Sequence, residues 1–145
     1  MAPQLAAVRG AVVNIGSSGG IGDDAYGSPE YGAAKAGVRR FTASLSARHD
    51  VRVMAVVPGW IGLDRAHQEW GAWPAEQQRE VGPLIPPEDI ARVVVALLTH
   101  GRPGEVVEML HAGTTPDTVE LPSPTVARRL VGDSATRKES WSAGG

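Results

Sequence analysis

The sequence predicts an α/β fold: a parallel sheet of about three strands joined by crossover helices. Three observations carry that reading. Short apolar runs rich in β-branched residues recur at Ala11-Val-Val-Asn-Ile15, Val51-Arg-Val-Met-Ala-Val-Val57 and Glu105–Leu110. Segments of helical length and helical periodicity separate them. Alternation of strand and helix implies right-handed crossovers and a parallel sheet, whose strands are buried on both faces and read as continuous apolar runs.

Ala11–Ile15 is the first strand by its length and its β-branched residues. Residues 16–29 form a loop rich in Gly and Ser, which permit tight turns. A helix starts near Pro29, with Ser28 as its cap and proline at the first helical position, and runs to about Ala47. Its apolar stripe reads Ala34, Val38, Phe41 and Leu45, with Arg39 and Arg40 on a solvated outer face. Val51–Val57 is the second strand, stopped by Pro58. Trp60 to Ile85 reads as irregular and rich in large side chains, with Trp70, Trp73 and His67 either lining an apolar pocket or sealing a small core. A second helix opens at Pro86-Pro-Glu-Asp89, where acidic residues suit the N-terminal dipole, and ends near His100 and Gly101. Ile90, Val93, Val94, Leu97 and Leu98 give its apolar face.

The chemistry concentrates in Tyr31-Gly-Ala-Ala-Lys35. Residues four apart on a helix share one face, so this spacing sets an ammonium beside a phenol. A phenol ordinarily ionises near ~10. A cation about 4 Å away, at an effective dielectric of ~20, favours the phenolate by up to ~4 kcal/mol, enough for proton transfer near neutrality. The spacing alone is common on solvated helix faces; its neighbours add weight. Gly16-Ser-Ser18 follows the first strand, and Pro58-Gly59 ends the second.

Strand, Gly-Ser-Ser, loop, Tyr-x-x-x-Lys helix, strand and Pro-Gly in this order resemble the catalytic half of the short-chain dehydrogenase/reductase family over roughly Arg9 to Leu110. The resemblance implies a partial doubly wound, Rossmann-like sheet and an NAD- or NADP-dependent oxidoreductase acting on a small-molecule substrate. Tyr31 matches the tyrosine that exchanges a proton with the substrate oxygen. Lys35 matches the lysine that promotes tyrosine ionisation and holds the nicotinamide ribose. The catalytic serine is matched by Ser17, with Ser18 as the alternative. The frame Asn14-Ile-Gly-Ser17, followed by Gly20, favours Ser17, whereas counting back from Tyr31 favours Ser18. Pro58, Gly59 and Ile61 match the turn beside the nicotinamide. The threonine often found there is missing from Trp60-Ile-Gly-Leu-Asp64, which leaves backbone groups to bind the amide. The resemblance also implies a homo-oligomer formed through the Tyr31–Lys35 helix. Sugar-nucleotide epimerases and dehydratases share the Tyr-x-x-x-Lys spacing but usually carry longer segments than the one after Leu110.

With 145 residues the chain is one domain at most. Residues 1–112 read as the C-terminal half of such a domain, and 113–145 as a polar, largely disordered tail. The family's first Gly-rich turn and its cofactor-selecting residue cannot be placed before Ala11. The expectation is a truncated chain that is marginally stable and at best weakly active alone. Its rival is a non-catalytic fragment that associates with a full-length relative. Gly16-Ser-Ser-Gly-Gly20-Ile-Gly22 also fits a GxxxGxG pyrophosphate turn. Such a turn must run into a helix N-terminus, but Asp23, Asp24 and the loop formers Gly27, Ser28 and Pro29 follow. The serine-loop reading is preferred.

A net charge of −2 gives no electrostatic footprint for nucleic acid. The absence of cysteine excludes disulfides and thiolate metal sites, and the four scattered histidines suggest no metal. No run reaches the ~18 apolar residues of a membrane span, so a cytoplasmic location is expected.

Overall fold

The computed structural model describes residues 9–23 and 28–113. Its elements are β1 (Ala11–Ile15), a 3-10 turn (Ser18–Gly20), α1 (Pro29–Ala43), β2 (Arg52–Pro58), α2 (Asp64–Gly71), α3 (Ala75–Val81), α4 (Pro87–His100) and β3 (Val106–Met109). The strands pair in parallel in the order β1-β2-β3, which makes the chain an α/β fold with a three-stranded sheet, as expected. The polar tail beyond Gly113, the residues before Arg9 and residues 24–27 of the loop lie outside the described residues.

Register assigns the two faces of the sheet. Val13 pairs with Met54, and Val56 with Val107. These residues, with Ala11 and Met109, pack against Ile90, Val93 and Leu97 of α4 and against Ile85. The alternate positions face α1: Asn14 hydrogen-bonds Thr42, and Glu108 pairs with Arg39. α1 and α4 therefore cover opposite faces.

That placement corrects the expected handedness. The chain steps the same way along the sheet twice, β1 to β2 to β3. With the connecting helices on opposite faces, the two crossovers must have opposite hands. One is left-handed, against the strong general preference. The physical allowance lies in the long connection between β2 and α4. It is not irregular, as the sequence suggested, but contains α2 and α3. It is tied to the strand ends by a parallel bridge between Ile61 and Ile85. A connection with its own helices can carry the chain around the end of the sheet to the other face.

β2 is buried from Val53 to Pro58, whereas every residue of β1 is half-buried or exposed. Arg52, at the start of β2, reaches the C-terminus of α4. Its guanidinium donates to the carbonyls of Gly101 and Leu98, each at 2.7 Å. A cation there satisfies carbonyls that the helix leaves unpaired and suits its dipole.

The helix that carries Tyr31 and Lys35 is shorter than expected, ending at Ala43, and is rotated from its expected stripe. Phe41 is 55% exposed and Ala34 is also exposed. The inward side includes Lys35, Val38 and Thr42, with Leu45 half-buried just beyond the helix end. Arg39 is not simply solvated: its Nε and Nη2 donate to Glu108 Oε1 at 3.1 and 2.9 Å, tying α1 to β3. A pair this exposed adds little stability.

Candidate active site

Every candidate residue lies near the C-terminal ends of the parallel strands, the edge at which open α/β sheets bind ligands. β1 continues its ladder one residue past Ile15, where Gly16 N–H donates to the Val56 carbonyl at 2.7 Å. The chain then turns sharply. Ser17 is extended, and its Oγ accepts from Gly19 N–H at 3.1 Å, capping the 3-10 turn Ser18–Gly20. The same oxygen keeps its own proton to donate. Both candidate serines therefore sit in one short turn.

That turn rests on α1. A Cβ added at Gly20 would lie 2.5 Å from the backbone N of Ala36 and from the backbone C of Lys35. A Cβ at Gly32 would lie 3.3 Å from the Gly19 carbonyl oxygen. Glycine at position 20 is what lets the serine turn touch the helix that carries Lys35. The Gly-rich run thus makes a close contact with this helix through Gly20.

Ser28 caps α1, its Oγ accepting from Tyr31 N–H at 3.2 Å, with Pro29 in the first turn. Glu30 stands in the same turn. Hydrogen bonding to its own backbone N–H, and then to Ser28, holds its carboxyl below the usual carboxylate range. The Tyr31 side chain is 41% exposed. Lys35, one turn on, places Nζ 5.7 Å from the centroid of the Tyr31 ring, within cation–π reach. The same Nζ donates to the Ile15 carbonyl at 3.1 Å. The ammonium is thereby tied to the end of the strand that leads into the serines.

Pro58 closes β2 and is buried. Gly59 N–H donates to the Met109 carbonyl at 2.8 Å, and a Cβ there would lie 2.4 Å from the Leu110 carbonyl oxygen. Only a residue without a side chain fits between these strand ends. Ile61 forms the bridge to Ile85, closed by Gly62 N–H to the Ile85 carbonyl and by Ile85 N–H to the Trp60 carbonyl. The bridge leaves the Ile61 N–H outside it.

The tryptophans mainly organise the connection. Trp73 meets Trp60 edge-on with ring centroids 4.8 Å apart. Trp70 Nε1 donates to the Gly82 carbonyl at 3.1 Å. Gln78 Nε2 donates to the Trp70 and Trp73 carbonyls, each at 3.0 Å, joining α2 to α3. His67 Nε2 stands against the backbone of Gly62. Sequence reasoning missed the Ile15 carbonyl as the anchor of Lys35, and no side-chain motif marks a main-chain acceptor. It also missed the Gly59–Leu110 approach, although glycine after proline at a strand end was a usable signal.

Comparison with known proteins agrees with this geometry. The sequence profile of a family described as short chain dehydrogenase matches residues 1–73. An uncharacterized oxidoreductase of Schizosaccharomyces pombe is 38% identical over a 96-residue alignment that covers 61% of this chain and 36% of that protein. The crystal structure of a 3-oxoacyl-[acyl-carrier protein] reductase from Brucella melitensis superposes with a TM-score of 0.62 at 23% identity, covering 78% of this chain and 46% of its own. A further structure of such a reductase from Brucella melitensis, with bound NAD, has a TM-score of 0.58 at 25% identity, covering 78% of this chain and 45% of its own. The chain thus spans about a third of the curated relative and under half of either solved protein. Among the described residues, no helix is long and apolar enough to cross a membrane.

Proposed function

The chain belongs to the short chain dehydrogenase family, and on that premise we propose that it carries the proton-handling residues of an NAD- or NADP-dependent oxidoreductase acting on a carbonyl or hydroxyl substrate. The observation that carries this reading is the Lys35 ammonium. It lies beside the Tyr31 ring and is anchored to the Ile15 carbonyl, next to the serine turn.

The donor set suits a nicotinamide nucleotide. An ammonium has three N–H donors; with one on Ile15, the others can serve ribose hydroxyls. The Ile61 N–H suits a carboxamide oxygen, and Pro58 and Gly59 offer a wall close to the backbone. A bound nicotinamide would supply or accept the hydride. In the reducing direction, Tyr31 O–H gives its proton to the substrate oxygen as the carbon gains hydride. Lys35 stabilises the phenolate that remains, and Ser17 O–H donates to the same substrate oxygen. Oxidation runs the steps in reverse.

The test is carbonyl-dependent consumption of NADH and NADPH across a substrate panel, for wild type and serine variants. Ser17→Ala is expected to cost about 10²–10³-fold in kcat, the usual loss for one preorganised donor to a developing oxyanion, with Ser18→Ala close to wild type. Full activity in Ser17→Ala would remove the serine from this role, and no nicotinamide-linked turnover of any carbonyl would remove the activity itself.

The exposed face of α1, with Ala33, Ala34, Gly37 and Phe41, is proposed as a self-association surface. Phe41→Glu is expected to shift the sedimentation of a dimer toward monomer. Identical sedimentation of the two proteins would refute this.

A further inference from the structure

We propose that Asn14 and Thr42 are a positioning pair that fixes the axial setting of α1 on the sheet and, through it, the place of the Lys35 ammonium; this rests on the reading of Lys35 given above. Thr42 is fully buried at 0% exposure. Its Oγ1 donates to the Val38 carbonyl at 2.9 Å and accepts from Asn14 Nδ2 at 3.1 Å. The hydroxyl proton is committed within the helix, so the bond from β1 enters along a lone pair and has a set direction.

The rest of the inward face is poor in features that would resist sliding. Val38 and Leu45 are only half-buried, and the serine turn meets the helix through Gly20 and Gly32. A slip of one residue moves a helix about 1.5 Å along its axis. Apolar contacts between small groups tolerate that; a hydrogen bond at 3.1 Å does not. Asn14 is also the strand neighbour of Ile15, whose carbonyl holds Lys35 Nζ. Consecutive residues of β1 therefore grip α1 at Lys35 and at Thr42, seven positions apart and hence about two turns. Releasing one grip of β1 leaves only the other, with the exposed Arg39–Glu108 pair to β3, to set the helix.

The chain's composition makes the test direct, because its lysines are Lys35 and Lys138 alone. Acetylation of the folded chain by an amine-reactive ester is followed by mass spectrometry, with Lys35 normalised to Lys138. Thr42→Val and Asn14→Ala are each expected to raise the Lys35 labelling rate about fivefold, the factor expected for loss of one net hydrogen bond. Thr42→Ser, which keeps the hydroxyl, is expected to label as wild type. Val38→Ala serves as the control for stability: it loosens packing on the same face but leaves the pair intact, and it should not change the rate. Asn14→Ala keeps the test open if Thr42→Val does not fold. Wild-type labelling in Asn14→Ala, or an equal rise in Val38→Ala, overturns the proposal. Labelling reports where the ammonium lies whether or not a carbonyl is reduced, so failure here is distinct from failure of the oxidoreductase reading.

Discussion

Tyr31→Phe is expected to lower kcat about 10²- to 10⁴-fold, the range contributed by a positioned general acid–base. That corresponds to about 3 to 5 kcal/mol of transition-state stabilisation. The substitution removes one oxygen from a residue that is 41% exposed, so it opens no buried cavity. The ring also remains beside Lys35, whose Nζ keeps its bond to the Ile15 carbonyl. Loss of turnover without loss of fold or of nicotinamide binding would isolate the phenolic proton as the cause. The measurement is carbonyl-dependent oxidation of reduced nicotinamide, with binding followed separately by quenching of tryptophan fluorescence. Undiminished turnover in the phenylalanine variant would take the proton step away from Tyr31.

Leu97→Ala is expected to destabilise the fold by about 2–5 kcal/mol, the cost of a lost buried side chain plus the cavity it leaves. Leu97 has 0% exposure and packs in the cluster that joins α4 to Met54, Val56 and Val107. Domains of this kind have only about 5–15 kcal/mol in total, so the variant should unfold at a much lower urea concentration. Leu98, on the same helix but 40% exposed, should tolerate alanine far better. Equal urea midpoints for the two variants would mean that α4 does not cover the sheet in the way described.

The contrast between those two leucines shows how far sequence reading reached. Periodicity along Pro87–His100 marked Ile90, Val93 and Leu97 as core, and they are buried. It marked Leu98 as well, because a stripe about 100° wide cannot say where its margin meets solvent. The strands were legible within a residue, since runs such as Ala11–Ile15 are apolar, β-branched and bounded by glycine or proline. The start of α1 was legible from Ser28 and Pro29, because capping is local chemistry. Its facing was not. Phe41 was placed in the apolar stripe and points out, while Thr42, outside that stripe, is buried. Thr42 satisfies its hydroxyl with Val38 and Asn14, a partner on a strand far away in sequence. The helices α2 and α3 were missed because their apolar positions are few and their one aromatic residue, Trp70, is engaged with a main-chain carbonyl.

By itself the sequence determined the α/β class, the strand positions, the cap of α1 and the spacing that sets Tyr31 one turn from Lys35. All of these depend on residues within a few positions of one another. Only the tertiary structure decided the hand of the crossovers, the face that α1 presents, and the meeting of Lys35 with the Ile15 carbonyl and of Gly20 with the helix backbone. Those outcomes depend on main-chain groups and on contacts between distant segments. A local pattern of side chains carries no record of them.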